Sequence, residues 1–155
     1  MPPSRPKRPS LWLDMQLGDG LREAPVARDR LRRLALAALE RDASLVVRFV
    51  GEAEGRELNR RYRGRDHPTN VLTFAYDMPG RLEADIVICV PVVRAEARAQ
   101  RKRLDDPHAH QLVHGVLQAQ GHEHEGDEDA QRMEAAEVAI LRRFRIADPY
   151  DEPAR

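Results

Sequence analysis

Five of the six histidines in this 155-residue chain lie between His108 and His124. Within that stretch His114 and Gln118 are four residues apart and share one helix face. Gly121 allows the chain to reverse sharply, which could bring His124 back beside that face. The skeleton HxxxQxxGxxH repeats the spacing of the zinc motif HExxHxxGxxH at two of its three ligand positions and at its glycine. Three neutral imidazoles with an open fourth position suit a catalytic zinc. Here the middle position holds Gln118, an amide that binds zinc poorly compared with imidazole. His110 and His114 form a rival i, i+4 pair, able to chelate a metal with His122 or His124. The plainer alternative is that these are ordinary polar residues of a helix. Gly115 stands where a zinc protease carries its general-base Glu, which counts against peptide hydrolysis even if metal binds.

The elements that must position these residues are legible from periodicity and punctuation. Asp106 can cap a helix, Pro107 fits its first position, and the helix is expected to run to Gln120 and stop at Gly121. A last helix starts among Asp127, Glu128 and Asp129, where acids favour the positive dipole end, with Met133, Ala136, Ile140 and Phe144 as its apolar face. Upstream, residues 11–17 alternate as a strand. A helix is expected over 25–41, a strand over 45–50 and a strongly charged helix over 52–63. Strands over 70–76 and 82–90 flank a turn at 77–80, and Pro91 opens a helix to about Arg103. The expected architecture is α+β: a single domain with a mixed sheet of about four strands flanked by helices. Residues 1–9 are expected to form a mobile basic tail, 10–150 the domain and 151–155 a C-terminal tail.

Composition narrows the class. At 41% apolar residues the chain resembles a globular protein with one core. Its longest apolar run, Ile86 to Val93 broken only by Pro91, is far short of the roughly 20 residues of a membrane span. No apolar segment follows the basic start, so no secretory signal is expected. The single cysteine, Cys89, excludes an internal disulfide and a multi-cysteine zinc site, and it is expected in the core. These features favour a reducing, cytoplasmic setting. Net charge is zero, from 26 basic and 26 acidic groups, which argues against indiscriminate binding to polyanions. The halves differ, however: residues 1–65 carry 15 bases and 9 acids, whereas the rest is acidic.

Taken together, several segments closely resemble the YbeY family, bacterial metal-dependent endoribonucleases of ribosomal RNA maturation. The family pattern H-G-x-L-H-x-x-G-[aromatic or His]-D-H is matched by HGVLQAQGHEH from His114 to His124. ELNRRYRGRDHPTNVLTF from Glu57 to Phe74 resembles the family's ELNxxYRGxDxPTNVLSF block, and Asp85 to Cys89 its GDIxIC strand. Met133-Glu134 and Asp148-Pro149-Tyr150 match its C-terminal ME and DPY signals. The chain departs from the pattern at Gln118 for His, Glu123 for Asp and Ala84 for Gly.

The resemblance implies an α+β fold and one zinc on His114, position 118 and His124. It implies that Arg63, the arginine of the YRG element, holds a scissile or neighbouring phosphate, a task its fork suits; a capping or ion-pairing role beside Asp66 is the alternative. Arg60, Arg61 and Arg65 would hold the RNA backbone, whereas Arg56, at the same helical spacing, is expected to belong to a solvated helix face. Aromatic residues are only 5% of the chain, so base stacking is not expected to be its main grip. The implied function is single-strand-specific endoribonuclease activity in 16S rRNA 3′-end maturation and ribosome quality control. Ribosomal RNA, the ribosome and ribosome-assembly proteins would be its partners, and no membrane. Gln118 is expected to weaken metal binding, leaving an ion completed by water or His122, no ion at all, or an altered chain. The competing readings are a ribosome-associated factor that keeps the fold without catalysis and, less favoured, a metalloprotease.

Overall fold

Alternation of apolar and polar residues builds the sheet. In the computed structural model, which describes residues 8–100, 106–122 and 126–150, four strands are present: β1 (Leu11–Leu17), β2 (Ala43–Val50), β3 (Val71–Met78) and β4 (Arg81–Cys89). Five helices accompany them: α1 (Arg28–Ala38), α2 (Glu52–Arg63), α3 (Val90–Ala99), α4 (Asp106–Ala119) and α5 (Asp127–Arg143). The sheet order is β1-β2-β4-β3. β1 runs parallel to β2 and β2 parallel to β4, while β3 is antiparallel to β4, so the sheet is mixed as expected.

The register sorts the side chains onto two faces. Leu13, Leu45, Ala84 and their neighbours two residues along each strand, such as Ile86, point to one face, where α1, α4 and α5 close the main core. Each fully buried Leu, Ile or Phe there contributes about 1.5–3 kcal/mol relative to exposure. The opposite face carries Val50, Leu72, Val87 and Cys89, with Leu58 of α2 and Val92 of α3 packed against them. Cys89 is buried there, as its apolar strand suggests, and desolvation raises its thiol pKa.

Several boundaries differ from the pattern-based expectation, each for a tertiary reason. α1 starts at Arg28, not Pro25, because the preceding segment buries Val26 and packs Leu21 and Ala24 on the core. It ends at Ala38, where the Gln120 side chain donates to the Ala38 carbonyl at 2.8 Å and accepts from the Glu40 N–H at 2.6 Å. The β3–β4 turn is only Pro79-Gly80, since Met78 and Arg81 still pair. The inner face of α5 comprises Met133, Glu137, Ile140 and Leu141, with Ala136 and Phe144 only partly buried. Expectations for residues 1–7, 101–105, 123–125 and 151–155 lie outside the described residues. Among the described residues no helix is long and apolar enough to cross a membrane.

Candidate active site

α4 places the histidines. Gly115 is buried, and a Cβ there would stand 2.9 Å from Ile86 Cγ2 and 3.4 Å from Thr73 Oγ1. The close approach of α4 to β3 and β4 therefore explains the glycine, and the space is filled by the sheet where a protease would need a glutamate. The helix ends in a Schellman arrangement: the Gly121 N–H donates to Gln118 O at 3.0 Å and the His122 N–H to Leu117 O at 3.2 Å. Gly121 has φ +95°, the left-handed conformation of a helix stop, as expected at this position.

His114 does not stand alone. Its Nδ1 lies 2.6 Å from Glu137 Oε1, and His110 Nε2 lies 2.9 Å from Glu137 Oε2. The Tyr150 hydroxyl also donates to Glu137 Oε2 and lies 3.2 Å from His110 Nε2. Glu137 is fully buried on α5. Burial opposes its ionisation, but the hydrogen bonds from His110, His114 and Tyr150 prevail and hold its carboxyl at about 2, below the ordinary 4.5. Burial and the neighbouring carboxylate push the Tyr150 hydroxyl above its ordinary range, so Tyr150 remains a proton donor at neutral pH. The rival chelate of His110 and His114 takes a different form here: the two rings share a carboxylate, while His122 Nε2 meets Glu40 Oε1 at 2.8 Å.

Of the expected metal ligands, His114 fits the role, because a metal-binding imidazole characteristically has its other nitrogen fixed by a carboxylate. Gln118 is exposed one turn further along and offers only an amide oxygen. His124 lies outside the described residues. Among the described residues there is no group of three or more His, Cys, Asp or Glu able to hold a metal ion.

The arginines lie on and just beyond α2, across the sheet from α4. Arg56 forms a twofold ion pair with Asp66 at 2.9 Å, and Arg60 pairs with Glu57 at 2.8 Å. Hydrogen bonding to Arg56 lowers the Asp66 carboxyl below its ordinary pKa. The Arg61 guanidinium sits 5.9 Å from the centre of the Tyr62 ring. Arg63 and Arg65 are exposed and form no ion pair among the described residues. Buried Asn59 fastens their loop, donating to His67 O at 2.6 Å and accepting from the Arg65 N–H.

A groove of about 410 Å³ opens on the same face as α2, lined by Arg48, Glu54, Tyr62, Phe74, Tyr76 and Asp85 among others. Arg48 and Glu54 pair across it at 2.6 Å. Tyr62 and Phe74 meet edge to face at 5.2 Å, and the Tyr76 hydroxyl donates to Asp85 at 2.8 Å. That bond raises the Tyr76 pKa above its ordinary value. With exposed Trp12 in β1, four of the chain's seven aromatic residues lie on this face. The low aromatic percentage conceals this grouping.

Sequence reasoning passed over Glu137 and gave Tyr150 no role in the site. The signal was available for Glu137, a carboxylate four residues after Met133 and three before Ile140, on the buried stripe of α5.

The fold places the chain in a class of layered α+β proteins. The solution structure of TM1509 from Thermotoga maritima resembles it with a TM-score of 0.56 and 24% identity, covering 90% of this chain and 99% of that one. Residues 24–145 match the family described as Endoribonuclease YbeY, and the chain belongs to that family. It is 51% identical over 148 residues to the Endoribonuclease YbeY of Cupriavidus metallidurans, covering 92% of this chain and 74% of the relative. It is 48% identical to that of Methylibium petroleiphilum, covering 94% and 98%, and 49% identical to that of Thiobacillus denitrificans, covering 92% and 97%.

Proposed function

We propose that this chain is a metal-dependent endoribonuclease that cuts single-stranded ribosomal RNA in the cytoplasm, in maturation of the 16S 3′ end and in ribosome quality control. The observation that carries this reading is family membership: relatives about half identical across more than nine-tenths of the chain are named endoribonucleases. Ribosomal RNA and the ribosome would be its partners, joined by ribosome-assembly proteins.

His114, His124 and, as the weakest donor, Gln118 would hold one divalent ion, zinc by the likeness of the motif, and the ion would polarise a water or a phosphate oxygen. The chain's own groups do the rest. Arg63 carries a fixed charge with a planar fork, suited to the non-bridging oxygens of a phosphate. Arg61 and Arg65 add backbone contacts, and Arg60 joins them on leaving Glu57. Exposed Tyr62 and Tyr76 offer ring faces to unpaired bases, which a duplex would keep stacked internally. α2 and α4 flank opposite faces of the sheet, so the sheet separates a phosphate held on Arg63 from His114. This arrangement favours Arg63 as the holder of a neighbouring phosphate.

The test is cleavage of single-stranded and duplex ribosomal RNA by the purified chain, with added zinc and after chelation. The expected result is cutting of the single strand alone, abolished by chelation. Absence of cleavage by zinc-loaded protein would overturn the enzymatic reading. Gln118, an amide at the middle ligand position, supports the second reading, a ribosome-associated factor that binds RNA without cutting it.

A further inference from the structure

We propose that Glu137 is the positioning residue of this site, holding His114 as the Nδ1–H tautomer and His110 as the opposite, Nε2–H tautomer. An ionised carboxylate only accepts hydrogen bonds, so each ring nitrogen that meets it must carry the proton. Glu137 Oε1 faces His114 Nδ1 at 2.6 Å, and Oε2 faces His110 Nε2 at 2.9 Å. The lone pair of His114 therefore sits on Nε2 and that of His110 on Nδ1. Two histidines one turn apart on the same helix thus have opposite proton placements, imposed by one side chain of the neighbouring helix.

The geometry has no packing rationale. Glu137 is wholly buried between Met133 and Ile140, where Leu or Met would fill the same space. Burying a carboxylate is costly and needs compensating donors. Three converge here, two imidazoles and the Tyr150 hydroxyl. Asp148 Oδ1 accepts the Tyr150 backbone N–H at 2.8 Å, so the Asp148-Pro149-Tyr150 turn brings the tyrosine to the carboxylate. The C-terminal turn is thereby tied to the orientation of a histidine on α4.

The tautomer assignment stands on the hydrogen bonds of the two rings to an ionised carboxylate. Its consequence for metal affinity rests on the proposed function. The experiment is long-range ¹H–¹⁵N correlation of the imidazoles in the metal-free full chain near pH 8, with zinc affinity measured separately. Wild-type protein is expected to show His114 as Nδ1–H and His110 as Nε2–H. Glu137→Met, isosteric but without an acceptor, should move His114 toward the Nε2–H form and lower zinc affinity about 10–100-fold. Tyr150→Phe keeps the carboxylate and should leave the His114 tautomer unchanged. Finding wild-type His114 as Nε2–H, or a His114 spectrum unaltered in Glu137→Met, would overturn the proposal. If Glu137→Met does not fold, the wild-type and Tyr150→Phe spectra still decide it. Wild-type protein with the expected tautomers but no zinc affinity would count against the metal reading alone.

Discussion

Arg56 and Asp66 form a twofold ion pair, Nε to Oδ1 and Nη2 to Oδ2, both at 2.9 Å. Arg56 thus occupies the acid nearest in sequence to Arg63, and Arg63 forms no ion pair among the described residues. Arg63→Ala should therefore change stability by less than about 0.5 kcal/mol, the usual range for a surface position. It should lower RNA cleavage by more than about tenfold, the equivalent of one charge-assisted hydrogen bond. Thermal melting and single-stranded RNA cleavage would check both, and unchanged cleavage would remove Arg63 from the site.

The amide at position 118 yields a prediction of opposite sign, a gain. Gln118→His adds an imidazole one turn from His114 on the same helix. Zinc affinity should rise by well over the 10–100-fold that outer-shell changes produce. Elemental analysis of both purified proteins would measure it. Equal zinc content would mean that position 118 is not a ligand.

Glu137 makes stability depend on acid. Its folded pKa of about 2 lies below the ordinary 4.5, so its contribution is complete above about pH 4.5. That contribution is lost as pH falls from there through about 2. The difference corresponds to about 3 kcal/mol. Glu137→Gln has nothing to titrate at this position and should show a flatter profile over that window. Urea unfolding at pH 7, 4 and 3 would compare the two, and parallel profiles would contradict the assignment.

Gly115→Ala tests why the residue after His114 has no side chain. Helix propensity alone would favour alanine by about 1 kcal/mol. The new Cβ would meet the stiff Cγ2 of fully buried Ile86 at 2.9 Å, and such overpacking costs about 1–3 kcal/mol. Net destabilisation is expected by chemical denaturation. A stabilised variant would show that α4 can shift from the sheet without penalty.

Local signals along the chain suffice for the strands, the α+β class and the family. The alternation of residues 11–17, the Asp106-Pro107 start and the Gly121 stop are local signals, and the motif blocks are linear text. They also locate His114, Gln118 and the arginines beside the YRG element. Tertiary structure decided what those residues touch. The end of α1 depends on Gln120, eighty-two positions beyond the Ala38 carbonyl it binds. Whether Asp66 belongs to Arg56 or Arg63 depends on how the loop folds back over α2. Along the chain Glu137 is one residue of a helix and Tyr150 the end of a DPY signal. Their meeting with His110 and His114 requires α4 and α5 to pack side by side. Hydrogen-bond partners are chosen by distance in space, and no period along the chain encodes which helix will supply them.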